Sequence, residues 1–200
     1  MSNFTLVLFQ SQSTVTGAET NTTFSTAPMR VVDANAAEVF RYDHTPIAFT
    51  NGHCHGDNYE YASTIPFDID NSHSDNPEDW VHPNEIGNRL TELGINFVMV
   101  ASRNHLLPKE KDGVVHEARP KFHAYLPLSK PERDSDRFVR YCKWCIKTFD
   151  SDEKVKSKSQ KMFGYRLLGR SLLHGVEWLS IRFHLLSRKC LLTNRTRHRH

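Results

Sequence analysis

The segment from residue 63 to residue 70 places two carboxylates on one face of a predicted β-strand. Because successive side chains of a strand point to opposite faces, Phe67 and Ile69 are predicted to enter a core while Asp68 and Asp70 point together to the other face. Neighbouring carboxylates repel each other unless one takes up a proton or a cation neutralises them. The pattern is compatible with two solvated acids at a strand end. The depletion of Asp in strands favours a divalent-metal site.

The next elements are predicted from apolar spacing and from residues that begin or end helices. Pro83 suits the first turn of a helix and Gly94 suits the position just after its end. Between them, apolar residues recur at helical spacing: Ile86, Leu90 and Leu93. Residues 95–101 form a nearly continuous apolar run with the length of a buried strand, and residues 102–118 are predicted to be a loop.

A second alternating segment, residues 121–128, is predicted to be a strand with Lys121, His123 and Tyr125 on its polar face. Residues 129–132 have the spacing of a capping box, and a helix that ends near Asp150 is predicted behind it. Its apolar stripe contains Phe138, Cys142, Cys145 and Phe149. We therefore expect an α+β sandwich in which helices pack on one face of a sheet, while the acids and His123 lie on its open face.

Charge and composition divide the chain into three expected regions. Residues 1–27 are predicted to be a polar, flexible leader with an optional short strand at residues 5–9, and residues 28–165 the catalytic domain. Residues 166–200 carry eight Lys or Arg and a single acid, which indicates either a polyanionic partner or a solvated tail. The apolar run near the N-terminus is too short for a membrane span, so a soluble, cytoplasmic protein is expected.

Three segments, taken in order, resemble the motifs of the archaeo-eukaryotic primase superfamily: an Asp-x-Asp pair, an s-x-His motif, and a hydrophobic-Asp pair. In particular, the chain resembles the primase-polymerase domain of phages and plasmids over about residues 45–165. The matching stretches are Asp-Ile-Asp-Asn at 68–71, Ser-Arg-Asn-His at 102–105, Arg-Pro-Lys-Phe-His at 119–123 and Phe149-Asp150. This resemblance implies an RRM-like α/β sandwich.

The resemblance also implies a DNA-directed nucleotidyltransferase that synthesises or extends primers on single-stranded DNA from nucleotide triphosphates by two-metal-ion catalysis. It implies that Mg²⁺ or Mn²⁺ is held by three acids: Asp68, Asp70 and Asp150, with Asp152 as the alternative third acid. It places the triphosphate beside four basic side chains: His123, Lys121, Arg119 and Arg103. Since no Gly-rich phosphate loop of the helicase type occurs in the sequence, a separate helicase is an expected partner.

Other interpretations remain open at this stage. Residues 52–56 resemble the His-hydrophobic-His metal site of rolling-circle endonucleases, with Tyr59 or Tyr61 as the nucleophile, although an exposed turn explains the same residues. The Cys142-x-x-Cys145 spacing is compatible with zinc, but both residues lie on a predicted apolar stripe. A module that binds single-stranded nucleic acid without catalysis would explain the basic segment and leave the Asp-x-Asp pattern without a role.

Overall fold

The computed structural model describes residues 5–17, 20–111, 113–151 and 156–164. Asp152 and the predicted basic segment, residues 166–200, lie outside the described residues. The strands are β1 (Leu6–Gln10), β2 (Met29–Val31), β3 (His44–Thr45), β4 (Ile47–Phe49), β5 (Tyr59–Ile69), β6 (Val98–Ala101), β7 (Lys109–Lys111), β8 (Val114–His116) and β9 (Phe122–Glu132). The α-helices are α1 (Asp33–Arg41), α2 (Pro83–Glu92) and α3 (Ser135–Phe149). The predicted α+β class is therefore confirmed.

The central sheet has four antiparallel strands in the order β4-β5-β9-β6. The two long strands, β5 and β9, pair at the middle of this sheet. Asp68 lies directly opposite His123 in this register, and Ile69 lies opposite Phe122. The strand predicted at residues 63–70 is part of β5, and the strand predicted at 121–128 is part of β9.

Helices α2 and α3 cover one face of this sheet, as the apolar spacing predicted. Their buried residues pack against Phe67, Ile69 and Phe122 in one continuous core. The residues that the two helices contribute are Ile86, Leu90, Phe138, Cys142, Cys145 and Phe149. Both cysteines are buried without a disulfide, which supports their interpretation as small apolar side chains.

The start of α3 differs from the prediction. Residues 129–132 belong to β9, and the N-cap of the helix is Asp134, whose carboxylate accepts hydrogen bonds from the backbone N–H groups of Asp136 and Arg137. The pairing of β9 with β5 continues to Glu132, past the predicted capping box, so the helix begins later.

The opposite face of the sheet is not open, which corrects the prediction. Helix α1 and strands β1 and β2 pack against it and form a second core around Tyr125 and Val98. The residues that cover this face are Leu6, Leu8, Val31, Ala36, Val39, Phe40 and Met162. The region expected to be a flexible leader therefore contributes a buried strand, because Leu6 and Leu8 have an apolar surface to cover.

Two further features frame the end of the sheet. The predicted loop at residues 102–118 contains the hairpin formed by β7 and β8. The buried carboxylate of Asp43 joins distant segments, since it accepts hydrogen bonds from the backbone N–H groups of Gly17 and Gly164 and from the amide of Asn21.

Within the described residues, no helix has the length and apolar character that a membrane crossing requires.

Candidate functional site

Two carboxylates and two basic side chains from distant segments meet where β5 and β9 pair. Asp68 and Asp70 alternate with the buried Ile69, and Lys121 and His123 alternate with the buried Phe122, so all four share one face. The distance from His123 Nε2 to Asp68 Oδ1 is 3.6 Å, and the distance from Lys121 Nζ to Asp70 Oδ1 is 3.1 Å. The register of the two strands thus assembles four of the predicted site residues into a single cluster.

The acids of this cluster are more accessible than the bases. The exposed fraction of the side chain is 37% for Asp70 and 25% for Asp68, but only 9% for Lys121 and for His123. A ligand that approaches from solvent therefore meets Asp70 first, because the Oδ1 atom of Asp68 is itself buried. The contact of Lys121 with Asp70 also relieves the repulsion between the acids.

His123 is the outer member of a buried chain of polar side chains. Its Nδ1 lies 3.5 Å from the hydroxyl of Tyr125, and that hydroxyl lies 2.6 Å from Nε2 of His44. Nδ1 of His44 lies 2.8 Å from the carbonyl oxygen of Tyr42. The chain therefore connects Asp68 to the backbone of Tyr42, the C-cap of α1, through the second core.

Burial determines the protonation of this chain. Burial lowers the pKa of His44 to about 4, although the hydrogen bond to Tyr42 and the charge of Asp43 oppose the shift. Burial and the neighbouring His44 lower the pKa of His123 to about 3, against the opposing charge of Asp70. Burial, with a smaller contribution from the charge of Asp68, raises the pKa of Tyr125 well above its usual range. Both imidazoles and the phenol are therefore neutral near pH 7.

Asn71 fixes the turn that presents Asp70. Its φ of 49° lies in the left-handed region, which Asn tolerates better than most residues. Its buried amide donates to the carbonyls of Val81 and Pro120 and accepts from the backbone N–H of Val81. The last residue of the Asp-Ile-Asp-Asn stretch therefore anchors the chain where it leaves β5.

Arg119 stabilises the loop after Asn71 through hydrogen bonds from its guanidinium. These bonds use the N–H groups that the resemblance assigns to a triphosphate. Its Nη1 donates to the carbonyls of Asn71 and Ser74, and its Nη2 lies 2.6 Å from the carboxylate of Asp75. Its guanidinium also lies over the ring of Trp80 at 5.5 Å. The hydrogen bonds from Arg119 and His116 lower the pKa of Asp75.

A polar cleft of about 360 Å³ begins at Asp70 and Lys121 and extends toward the β7–β8 hairpin. Both basic and acidic side chains line it, so the cleft can accommodate a charged ligand. Its lining residues are Asp70, Ser72, His73, Ser74, Asp75, Leu107, Lys109, His116, Glu117, Arg119 and Lys121.

The backbone at Asp150 lies close to the cluster through its neighbour Ser151, but the Asp150 side chain does not join the cluster. It is the exposed C-cap of α3, with a left-handed φ of 52°. The next residue, Ser151, accepts a hydrogen bond from the Asp68 N–H and donates one to the Asp68 carbonyl. This exchange ties the end of α3 to β5 beside Asp68.

The fit of the site to a metal ion rests on Asp68 and Asp70. Across the described ranges, no three or more His, Cys, Asp or Glu side chains converge as a metal-binding group. The predicted three-acid cage is therefore not assembled by Asp150, and its alternative, Asp152, lies outside the described residues. The two accessible carboxylates on one face still match the way Mg²⁺ is usually held, by one or two carboxylates with the remaining positions filled by water and phosphate.

The remaining predicted residues lie elsewhere. The guanidinium of Arg103 stacks over Phe163 at 5.3 Å and lies against Gly17. The hydroxyl of Tyr59 donates to the carbonyl of Glu132, and burial raises its pKa, which disfavours this tyrosine as a nucleophile. His55 is an exposed side chain 3.5 Å from Asp57.

Sequence reasoning did not identify His44 or Ser151, and it did not identify Tyr125 as a hydrogen-bonding residue. The only available signal was the position of Tyr125 on the same strand face as Lys121 and His123. Nothing in the pattern around residues 44 and 151 indicates that they approach β9 and β5, because these contacts depend on how distant segments pack.

Comparisons with protein-family models, with curated proteins and with solved structures find no match for this chain.

Proposed function

We propose that the chain is a template-directed nucleotidyltransferase of the primase-polymerase type, which makes or extends primers on single-stranded DNA. The observation that carries the proposal is the meeting of Asp68 and Asp70 with Lys121 and His123 on one face of paired strands. These residues come from two of the three motif segments.

In this proposal each group of residues has a distinct task. Asp68 and Asp70 hold Mg²⁺ or Mn²⁺, which when bound stabilises the charge that develops on the attacking and leaving oxygens. Lys121 lines the polar cleft beside Asp70, where it can neutralise a phosphate. Arg119 is a positioning residue, because its hydrogen bonds hold the loop that forms the cleft wall.

In this proposal the third acid that binds the metal comes from the segment after α3. Ser151 ties the end of α3 to Asp68. The alternative third acid, Asp152, is the remaining candidate, because Asp150 does not converge with Asp68 and Asp70 among the described residues. The basic segment at residues 166–200 is proposed to bind template phosphates, and that contribution should weaken steeply with salt.

The test is synthesis of labelled product on single-stranded DNA with nucleotide triphosphates and Mg²⁺ or Mn²⁺. We expect wild-type product, and a loss of about tenfold to a hundredfold or more in Asp70→Asn, since even residues that only support metal ligands have effects of this size. Asp57→Asn is the matched control, because this Asp is exposed and its ion pair is with the exposed His55, outside the cluster. Circular dichroism establishes that both variants are folded. Equal synthesis by folded wild-type and Asp70→Asn protein would refute the proposal.

A second candidate is a module that binds single-stranded nucleic acid without catalysis. The contact between Lys121 and Asp70 favours it, because a carboxylate already paired with a buried ammonium does not require a metal ion. This candidate predicts salt-dependent binding of single-stranded DNA with no synthesis by either protein. It also predicts that added Mg²⁺ changes the affinity for single-stranded DNA only through the added ionic strength.

A further inference from the structure

The outward side of α3 carries three cations around an exposed tryptophan. At about 100° per residue, four side chains of this helix fall within an arc of roughly 100° and extend over about 10 Å of its axis. All four are exposed, and they lie opposite the buried stripe that packs on the sheet. We name them the basic face of α3, and its members are Arg140, Lys143, Trp144 and Lys147.

The charge of the basic face is not offset by ion pairs. The acids near the start of α3 are paired with other cations, since Arg137 lies 3.3 Å from Glu132 and 3.6 Å from Asp134, and Lys158 lies 3.2 Å from Asp136. Among the ion pairs of the described residues, none includes a cation of the basic face. Its three positive charges therefore remain available to a ligand.

The basic character on this side of the molecule is confined to α3. Helix α2 covers the same face of the sheet, but its exposed side chains carry no positive charge. These side chains are Asn84, Glu85, Asn88 and Glu92. The positive potential is therefore concentrated along one helix, where it can attract a polyanion.

The position of Trp144 distinguishes the basic face from a helix surface that is only solvated. The indole meets the ring of the buried Phe149 with the ring centroids 5.7 Å apart and the ring planes at 90°. This contact supports the indole, and Trp144 is still 39% exposed. Proteins that bind single strands combine the same two elements, because bases stack on aromatic rings while cations follow the phosphates.

We propose that the basic face of α3 binds single-stranded nucleic acid, with a base stacked on Trp144 and the flanking phosphates beside the three cations. A polyanion that carries aromatic groups fits this face better than an acidic polypeptide does, because it uses both the charges and the ring. Asp70 and Lys121 lie on the other face of the sheet, so α3 holds a part of the strand that is remote from them. The inference rests on the proposed function for its ligand, but it does not require nucleotide transfer.

The first test measures the affinity for a labelled oligo(dT) by fluorescence anisotropy, without nucleotides and with a chelator present. Lys143→Gln/Lys147→Gln should weaken binding by about tenfold or more near 0.1 M salt, and should reduce the slope of log affinity against log salt by about 1.4. The reason is that each phosphate contact on a single strand contributes about 0.7 to this slope. Gln and Lys have similar helix propensities, and circular dichroism establishes that α3 is kept.

Arg30→Gln/Arg41→Gln is the matched control for this test. It removes two exposed charges from β2 and α1, which pack on the opposite face of the sheet. Its affinity and slope should stay close to those of the wild type. An unchanged slope in Lys143→Gln/Lys147→Gln, or an equal loss in the control, overturns the inference.

The second test addresses the ring. Trp144→Leu should weaken oligo(dT) binding by about fivefold to a hundredfold, since stacking of one base on an aromatic ring has an effect of this size. The salt slope should stay unchanged, because no phosphate contact is lost. An unchanged affinity in this variant overturns the inference. Wild-type protein that binds polyglutamate or duplex DNA as tightly as oligo(dT) also overturns it, in favour of a surface for polyanions in general.

The inference and the proposed function can fail separately. Oligo(dT) binding that depends on the basic face, without primer synthesis by the wild type, would refute only the proposed function. Primer synthesis together with oligo(dT) binding that ignores the basic face would refute only this inference.

Discussion

Acidification should destabilise the fold through the buried imidazole of His44. Burial lowers its pKa to about 4 in the folded chain, whereas the unfolded chain has the ordinary value of about 6.5. The unfolded chain therefore binds more protons between these two values, so the free energy of unfolding falls as the pH falls. The stabilisation is complete above about pH 6.5, and about 2 kcal/mol of it is lost by pH 5.

The groups that face His44 set the size of this effect. Asp43, the neighbouring residue, favours the charged ring, whereas burial disfavours it. Tyr125 is neutral, and His123 is a second buried imidazole whose lowered pKa changes stability in the same direction. Carboxylates remain largely ionised down to about pH 5, so the histidines dominate the change above that pH.

Urea unfolding near pH 7 and near pH 5, in the presence of a chelator, measures this dependence. His44→Gln should reduce the difference in unfolding free energy between the two pH values by about 2 kcal/mol, whatever its effect on stability at pH 7. His55→Gln, which removes an exposed imidazole, should leave the difference unchanged. Equal wild-type stability at both pH values, or an unchanged difference in His44→Gln, would show that His44 is not buried in its neutral form.

Three other predictions follow from the backbone and the loop beside the site. Gly52→Ala should cost more than about 2 kcal/mol, because φ is +70° and an added Cβ would lie 2.1 Å from the carbonyl oxygen of Phe24. Gly94→Ala, where φ is +68° in open space, should cost only about 1–2 kcal/mol, and equal losses in urea unfolding would contradict the steric argument. Asn71→Ala should lower the free energy of unfolding by about 2–3 kcal/mol, since its buried backbone partners lose their hydrogen bonds; a loss below about 0.5 kcal/mol would be inconsistent with this. Arg119→Met should accelerate hydrogen exchange in the loop after Asn71 by roughly tenfold or more, and unchanged exchange there would exclude its role in holding the loop.

The local patterns predicted the central elements well. Helix α2 lies between Pro83 and Gly94 as expected, and Ile86 and Leu90 of the predicted stripe are buried, whereas Leu93 is the exposed C-cap. The alternation of β9 correctly separates Phe122 and Ala124 from Lys121 and His123. These features depend only on spacing along one segment, which the sequence displays directly.

The errors arise where distant segments compete for the same surface. The capping box at residues 129–132 is overridden because β9 continues its pairing with β5 as far as Glu132. One face of the sheet was predicted to be open because the sequence carries no signal that β1 covers it. Arg119 was assigned to a triphosphate from its motif, whereas its guanidinium is held by the carbonyls of Asn71 and Ser74.

The sequence alone determined which side chains share a face, because the period of two along a strand is fixed by local stereochemistry. It therefore placed Asp68 with Asp70, and Lys121 with His123. Only the tertiary structure decided that these pairs meet, that Asp150 remains outside their cluster, and that His44 and Tyr125 lie buried behind His123. The strand register and the covering of the second face depend on the free energy of burying both cores, to which residues far apart in the chain contribute together.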